Sequence, residues 1–156
     1  MFETEKDKYL MKHGFGATSL KAVLFDMDGV LFDSMPNHAY SWSHAMTQFG
    51  LHITPEEAYM HEGRTGGGTI DLLAQRCWGR KATEEEKQTI YKAKSDVFSR
   101  CPEAPQMPGA YELLKKVKAG GFTPMVVTGS GQISLIDRLN HNFPDIFRAR
   151  TDGDQL

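Results

Sequence analysis

Two carboxylates, Asp26 and Asp28, stand two residues apart in the run Phe25-Asp26-Met27-Asp28-Gly29-Val30-Leu31-Phe32-Asp33-Ser34. In extended backbone, residues i and i+2 project to the same side. Two such groups facing one ligand can divide the work, one attacking and the other handling protons. A carboxylate is a weak nucleophile. It becomes useful against a phosphoryl group once a cation offsets the like charge, and hard oxygen ligands favour Mg²⁺. On this reading Asp26 takes up the phosphoryl group as an aspartyl-phosphate. Asp28 protonates the leaving alcohol and later activates the hydrolytic water, while Gly29 lets the chain turn sharply beside them. The plainer alternative is an Asp-rich turn that merely follows a strand. A calcium loop is excluded, because Val30 and Leu31 stand where such a loop wants Asp or Asn.

A second run, Val126-Val127-Thr128-Gly129-Ser130-Gly131, carries hydroxyls and small residues. The Thr128 hydroxyl can donate to a phosphoryl oxygen. The amides of Gly129 and Ser130, with the dipole of a following helix, can stabilise developing charge. Alone, this run is equally a strand-to-helix turn.

Both runs need strands to aim them. Leu20 to Phe25 is a short apolar stretch without helical period, which suits a strand buried on both faces with Asp26 at its carboxyl end. Thr123 to Val127 is the next such stretch. Between them the punctuation is helical. Pro36 to Phe49 closes at Gly50, Thr54 with Glu57 forms a capping box with Pro55 at the first helical position, and Thr83 with Glu86 repeats the device. Pro102 and Pro105 mark the return, and Pro108 to Ala119 reads as an amphipathic helix stopped by Gly120 and Gly121. Strand, helical insert, helix, strand is a βαβ crossover holding an extra domain. Ligands of open parallel sheets bind beyond the carboxyl ends of the strands, so the two runs should meet in one crevice. Outside this unit, Glu3 to His13 suits a short charged helix followed by a linker to Ser19. Gln132 to His141 looks helical, and Ile146 to Thr151 can begin a third strand.

The segment Asp26 to Ser34 followed by Val126 to Ser130 resembles the first two signature motifs of the haloacid dehalogenase superfamily, particularly its β-phosphoglucomutase-like phosphatase and mutase branch. The likeness runs from about Leu20 to Phe147. It implies an α/β fold: a Rossmann-like parallel sheet, here an incomplete core, with an inserted all-helical cap domain. The implied division is an extension and linker over 1–19, the core over 20–34 and 105–156, and the cap over 35–104. It also implies Mg²⁺ held by the Asp26 carboxylate and the Asp28 backbone carbonyl, and a cap that closes over substrate. The resemblance places a substrate-side histidine at His38, although a lone helical histidine more often packs or faces solvent. In the turn Glu62 to Gly68, Arg64 could reach a sugar hydroxyl or a second phosphate, or the segment could be a plain interhelix loop.

The superfamily's other two motifs are a lysine that clamps the phosphoryl oxygens and a later acidic pair that completes the metal site. The chain has no lysine after Lys118, and Lys115, Lys116 and Lys118 read as solvated helix charges. Asp152-Gly153-Asp154 arrives too soon after Thr128 to be the acidic pair and reads as a frayed terminus. The chain is therefore expected to be a piece of a longer enzyme or, less favoured, a short relative that has lost catalysis. The leading expectation is hydrolysis of a small phosphate monoester, plausibly a sugar phosphate. The alternatives are a phosphosugar mutase and a noncatalytic phosphate-binding protein.

Bulk composition agrees with one main core: 156 residues, of which 40% are hydrophobic. A formal net charge of −2 offers no polycationic face for nucleic acid. Met1 to His13 mixes acids and bases without an apolar run, and no stretch reaches membrane-spanning length, so a soluble cytoplasmic protein is expected. Cys77 and Cys101 form no paired motif and read as reduced thiols. His13, His44, His52, His61 and His141 show no metal-ligand spacing, and Trp42 reads as core.

Overall fold

Capping chemistry sets most of the helix boundaries in the computed structural model, which describes residues 2–16, 19–131 and 133–147. Helix α1 (Phe2–His13) leads to strand β1 (Ala22–Phe25), and helix α2 (Met35–Thr47) follows with Pro36 in its first turn. In α3 (Pro55–Met60), the Thr54 hydroxyl accepts the Glu57 N–H at 3.1 Å. In α4 (Gly66–Trp78), Thr65 accepts the Gly68 N–H at 3.2 Å, and left-handed Gly79 ends the helix. The expected capping box at α5 (Glu84–Phe98) is complete: Thr83 accepts the Glu86 N–H at 3.2 Å and the Glu86 carboxylate accepts the Thr83 N–H at 2.7 Å. The chain continues through α6 (Ala110–Ala119), β2 (Thr123–Val126), α7 (Ile133–Ile136) and α8 (Leu139–Asn142).

Two apolar clusters organise these elements. Helices α2 to α5 pack around Ala39, Trp42, Met46, Leu51, Ile70, Leu73 and Ile90, with α2 lying against both α3 and α5. Ile70 and Leu73 are fully buried, each contributing roughly 1.5–3 kcal/mol of transfer free energy. The second cluster joins Phe25, Met27, Leu31, Phe32, Phe98, Leu114 and Phe143, so the end of α5 reaches down to the strands. The fold is α/β, with β1 and β2 parallel in the register Ala22↔Thr123 through Phe25↔Val126.

Four expectations change, the first being the capping box at Thr54, of which only the Thr54 arm forms because the Glu57 carboxylate pairs with Arg76 at 2.5 Å. Strand β1 begins at Ala22 and is not buried on both faces: Val23 and Phe25 pack inward, whereas Leu24 is 62% exposed beside Met125, its register partner, at 48%. Apolar residue type fixed the strand but not how many faces are covered. Instead of one helix over 132–141, the chain makes two four-residue turns of helix, α7 and α8. Ile146 and Phe147 lie in a turn, and the remainder of the expected third strand, with Asp152-Gly153-Asp154, falls outside the described residues. Cys77 and Cys101 are free thiols. No helix among the described residues is long and apolar enough to cross a membrane.

Candidate active site

Asp26 and Thr128 are brought together by the strand pairing. Beyond the last register pair the ladder continues through the Val127 N–H to the Phe25 carbonyl at 2.9 Å, so the two chains leave the sheet side by side. After Phe25 the chain folds into a tight loop. The N–H groups of Leu31 and Phe32 both donate to the Met27 carbonyl at 2.9 and 3.0 Å, and the Gly29 N–H donates to the Phe32 carbonyl at 2.8 Å. Gly29 sits at φ +72°, a conformation that any side chain would strain. Met27, Leu31 and Phe32 anchor the loop in the core, which leaves Asp26 exposed and Asp28 6% exposed.

Asp26 and Asp28 line one cavity of about 340 Å³ together with His38, Arg64, Thr128, Gly129 and Ser130. All seven site residues expected from sequence therefore meet at one place. Asp26 Oδ1 accepts the Met27 N–H at 2.7 Å, which orients the carboxylate. Asp28 Oδ1 accepts the Ser34 hydroxyl at 2.5 Å and lies 2.9 Å from His38 Nε2. Burial pushes the Asp28 carboxyl up, but the hydrogen bonds from His38 and Ser34 outweigh it and hold the group below its ordinary value.

Lys94 comes to the same place from α5. Its ammonium is 2.9 Å from His38 Nδ1, and the residue is 1% exposed among the rings of Phe98, Trp42 and Tyr91 at 4.8, 5.5 and 5.8 Å. Desolvation lowers its pKa to about 8, against the opposing pull of Asp28 and Glu62. Sequence order had directed attention to lysines after the second motif, and Lys94 precedes it by more than thirty residues. Its one legible signal was a cation at the helical position next to Ile90 and Phe98 on the apolar face of α5.

The loop after β2 is held by its own side chains. Thr128 Oγ1 accepts the Ser130 N–H at 3.0 Å. Ser130 Oγ, near enough to Asp28 to favour the carboxylate, is buried without a hydrogen-bond partner among the described residues. Such a hydroxyl suits an incoming oxyanion. The helix that follows is a single turn, so its dipole supplies less than the sequence suggested. Arg64 is exposed along the cavity wall, with Glu62 on the same segment.

The metal implied by the two carboxylates can be judged by its donors. Among the described residues no three acidic, histidine or cysteine side chains cluster. The second oxygen of Asp26 and the Asp28 carbonyl are hard donors of the kind Mg²⁺ accepts. Because Mg²⁺ keeps several waters and commonly takes only one or two carboxylates plus substrate phosphate, this partial set fits.

Residues 20–155 match the family model described as haloacid dehalogenase-like hydrolase. A provisionally named β-phosphoglucomutase from Bacteroides vulgatus superposes with a TM-score of 0.84 at 61% identity, over 92% of this chain and 58% of that one. A phosphorylated carbohydrates phosphatase from Thermotoga maritima is 25% identical over 88% of this chain and 63% of its own length. A phosphoglycolate phosphatase from Haemophilus influenzae is 30% identical over 71% of this chain and 52% of its own. The chain thus spans between about half and under two thirds of the length of these relatives.

Proposed function

The chain belongs to the haloacid dehalogenase-like hydrolase family, and from that premise we propose that it carries the nucleophilic and phosphate-binding half of a phosphatase acting on a small phosphate monoester of the sugar-phosphate class. The observation that carries this reading is the convergence of Asp26, Asp28, Thr128 and Ser130 in one cavity at the carboxyl ends of two parallel strands. The helices α2 to α5 serve as the cap, with Arg64 and His38 on the substrate side.

In the first half-reaction an Asp26 oxygen attacks phosphorus, the bond from phosphorus to the ester oxygen breaks, and Asp28 gives that oxygen a proton. In the second, water attacks the phosphorus of the aspartyl-phosphate, Asp28 takes the proton, and inorganic phosphate leaves. Thr128 and Ser130 donate hydroxyls to the phosphoryl oxygens and the Gly129 amide stabilises the added charge, whereas the Ser130 amide expected to share that task is held by Thr128 Oγ1. Mg²⁺, held by the Asp26 carboxylate and the Asp28 carbonyl, would offset the repulsion between carboxylate and phosphate. Asp28 starts ionised, so its acid role needs a proton source. The His38 Nε2–H lies 2.9 Å away, and Lys94 can restore the His38 proton at Nδ1.

Mg²⁺-dependent phosphate release from a panel of small phosphate esters, run beside Asp26→Asn, tests the reading. Release that survives Asp26→Asn sinks the nucleophile assignment. A mutase reading is favoured by one observation, the 61% identity to the Bacteroides vulgatus protein. Isomerised hexose phosphate formed in the presence of a hexose bisphosphate would select it.

A further inference from the structure

One face of α5 addresses both halves of the site. Lys94 reaches Asp28 through His38, and Tyr91, one turn earlier, reaches the loop after β2: its hydroxyl accepts the Gly131 N–H at 3.2 Å. We propose that Tyr91 is a positioning residue that ties the helical cap to the phosphate-binding loop and holds Thr128 to Gly131 in the shape an oxyanion requires. The proposal rests on the functional reading above.

Two glycines on opposite sides of the junction are cleared for this one side chain. A Cβ at Gly66, in the first turn of α4, would fall inside van der Waals contact with the Tyr91 ring. A Cβ at Gly131 would come within 3.1 Å of the Tyr91 hydroxyl. The ring also meets Trp42 edge-on, with centroids 6.3 Å apart, on the wall of the same cavity. Tyr91 is thus fixed from the cap side by α4 and α2, and its hydroxyl is delivered to a backbone amide of the core. The loop is then gripped from both ends, by Thr128 Oγ1 on the Ser130 N–H and by Tyr91 on the Gly131 N–H. A hydrogen bond of this kind shifts a local equilibrium by roughly three- to tenfold. Because coupling is reciprocal, an anion that needs the ordered loop and a cap that needs the latch favour each other.

The test uses the 156-residue chain with inorganic phosphate and Mg²⁺ as the probe, comparing wild type, Tyr91→Phe and Gly66→Ala. Amide hydrogen exchange is followed at Gly131, with the β2 amides as the internal reference for global stability. Tyr91→Phe is expected to speed Gly131 exchange about three- to tenfold, leave the β2 amides unchanged and weaken phosphate binding by a similar factor. Gly66→Ala, which keeps the hydroxyl but displaces the ring, is expected to do the same. Unchanged Gly131 exchange in both variants overturns the proposal, and so does faster exchange with undiminished phosphate affinity. If wild type binds no phosphate at all, the functional reading fails, and the Gly131 comparison alone decides whether Tyr91 holds the loop.

Discussion

Lys94 Nζ lies 2.9 Å from His38 Nδ1, and this contact fixes which ring nitrogen of His38 carries a proton. An ammonium can only donate, so Nδ1 accepts, Nε2 bears the hydrogen, and that hydrogen points at Asp28 Oδ1 2.9 Å away. The arrangement places a buried cation, an imidazole and a carboxylate in one line of hydrogen bonds.

That line gives stability a pH dependence with a definite sign. The folded Lys94 pKa, about 8, lies below the ordinary 10.5. Between those values the unfolded chain holds a proton that the folded chain has released, so this residue makes stability rise with pH across the window, by up to about 1.4 kcal/mol per pH unit. Its contribution is complete above about pH 10.5 and lost as pH falls through about 8. Urea unfolding at several pH values in wild type and Lys94→Met should show the slope in the first and a flatter profile in the second. Equal slopes would remove Lys94 as the cause.

Ser34→Ala tests the carboxylate end. Ser34 is fully buried and donates to Asp28 at 2.5 Å, so its loss leaves a buried charge short of one partner, at a cost of about 1.5–3 kcal/mol near neutral pH. Asp28 has a depressed folded pKa, so the stabilisation is present above its ordinary value of 3.8 and is lost as pH falls through the folded value. The gap between wild type and variant in a denaturant titration should therefore narrow on acidification below that value. A gap independent of pH would mean that packing, not the charge, sets the cost.

Thr83→Ala should weaken the helix that delivers both Lys94 and Tyr91. Removing an N-cap hydroxyl costs about 0.5–2 kcal/mol, and here it also breaks one arm of the capping box. Hydrogen exchange in the first turn of α5 should quicken before that in α2. If the two helices respond alike, the cap acts on the whole helical layer instead of one end.

Local chemistry made much of this legible. Thr54, Thr83 and Gly120 mark helix ends because capping depends on neighbours a few residues away. Asp26, Asp28 and Thr128 stood out because strand ends in parallel sheets face ligands. Lys94 and Tyr91 did not, since their roles arise only when α5 folds over loops more than thirty residues distant. The exposure of Leu24 was equally hidden, because an apolar run records that a residue can be buried and not whether another element covers it.

That exposed face yields the last prediction. Leu24 and Met125 are register partners at 62% and 48% exposure, and Val127 adds 55% next to them, which forms an apolar strip along the β1–β2 pair among the described residues. Uncovered strands and apolar strips favour association. Sedimentation velocity of the 156-residue chain should show self-association that grows with concentration, and Leu24→Lys with Met125→Lys should suppress it. Since both side chains already meet solvent, the unfolding free energy should change by no more than about 0.5 kcal/mol per substitution. Undiminished association in the double variant would place the contact elsewhere. A large loss of stability would mean that the strip is covered in solution by part of the same chain.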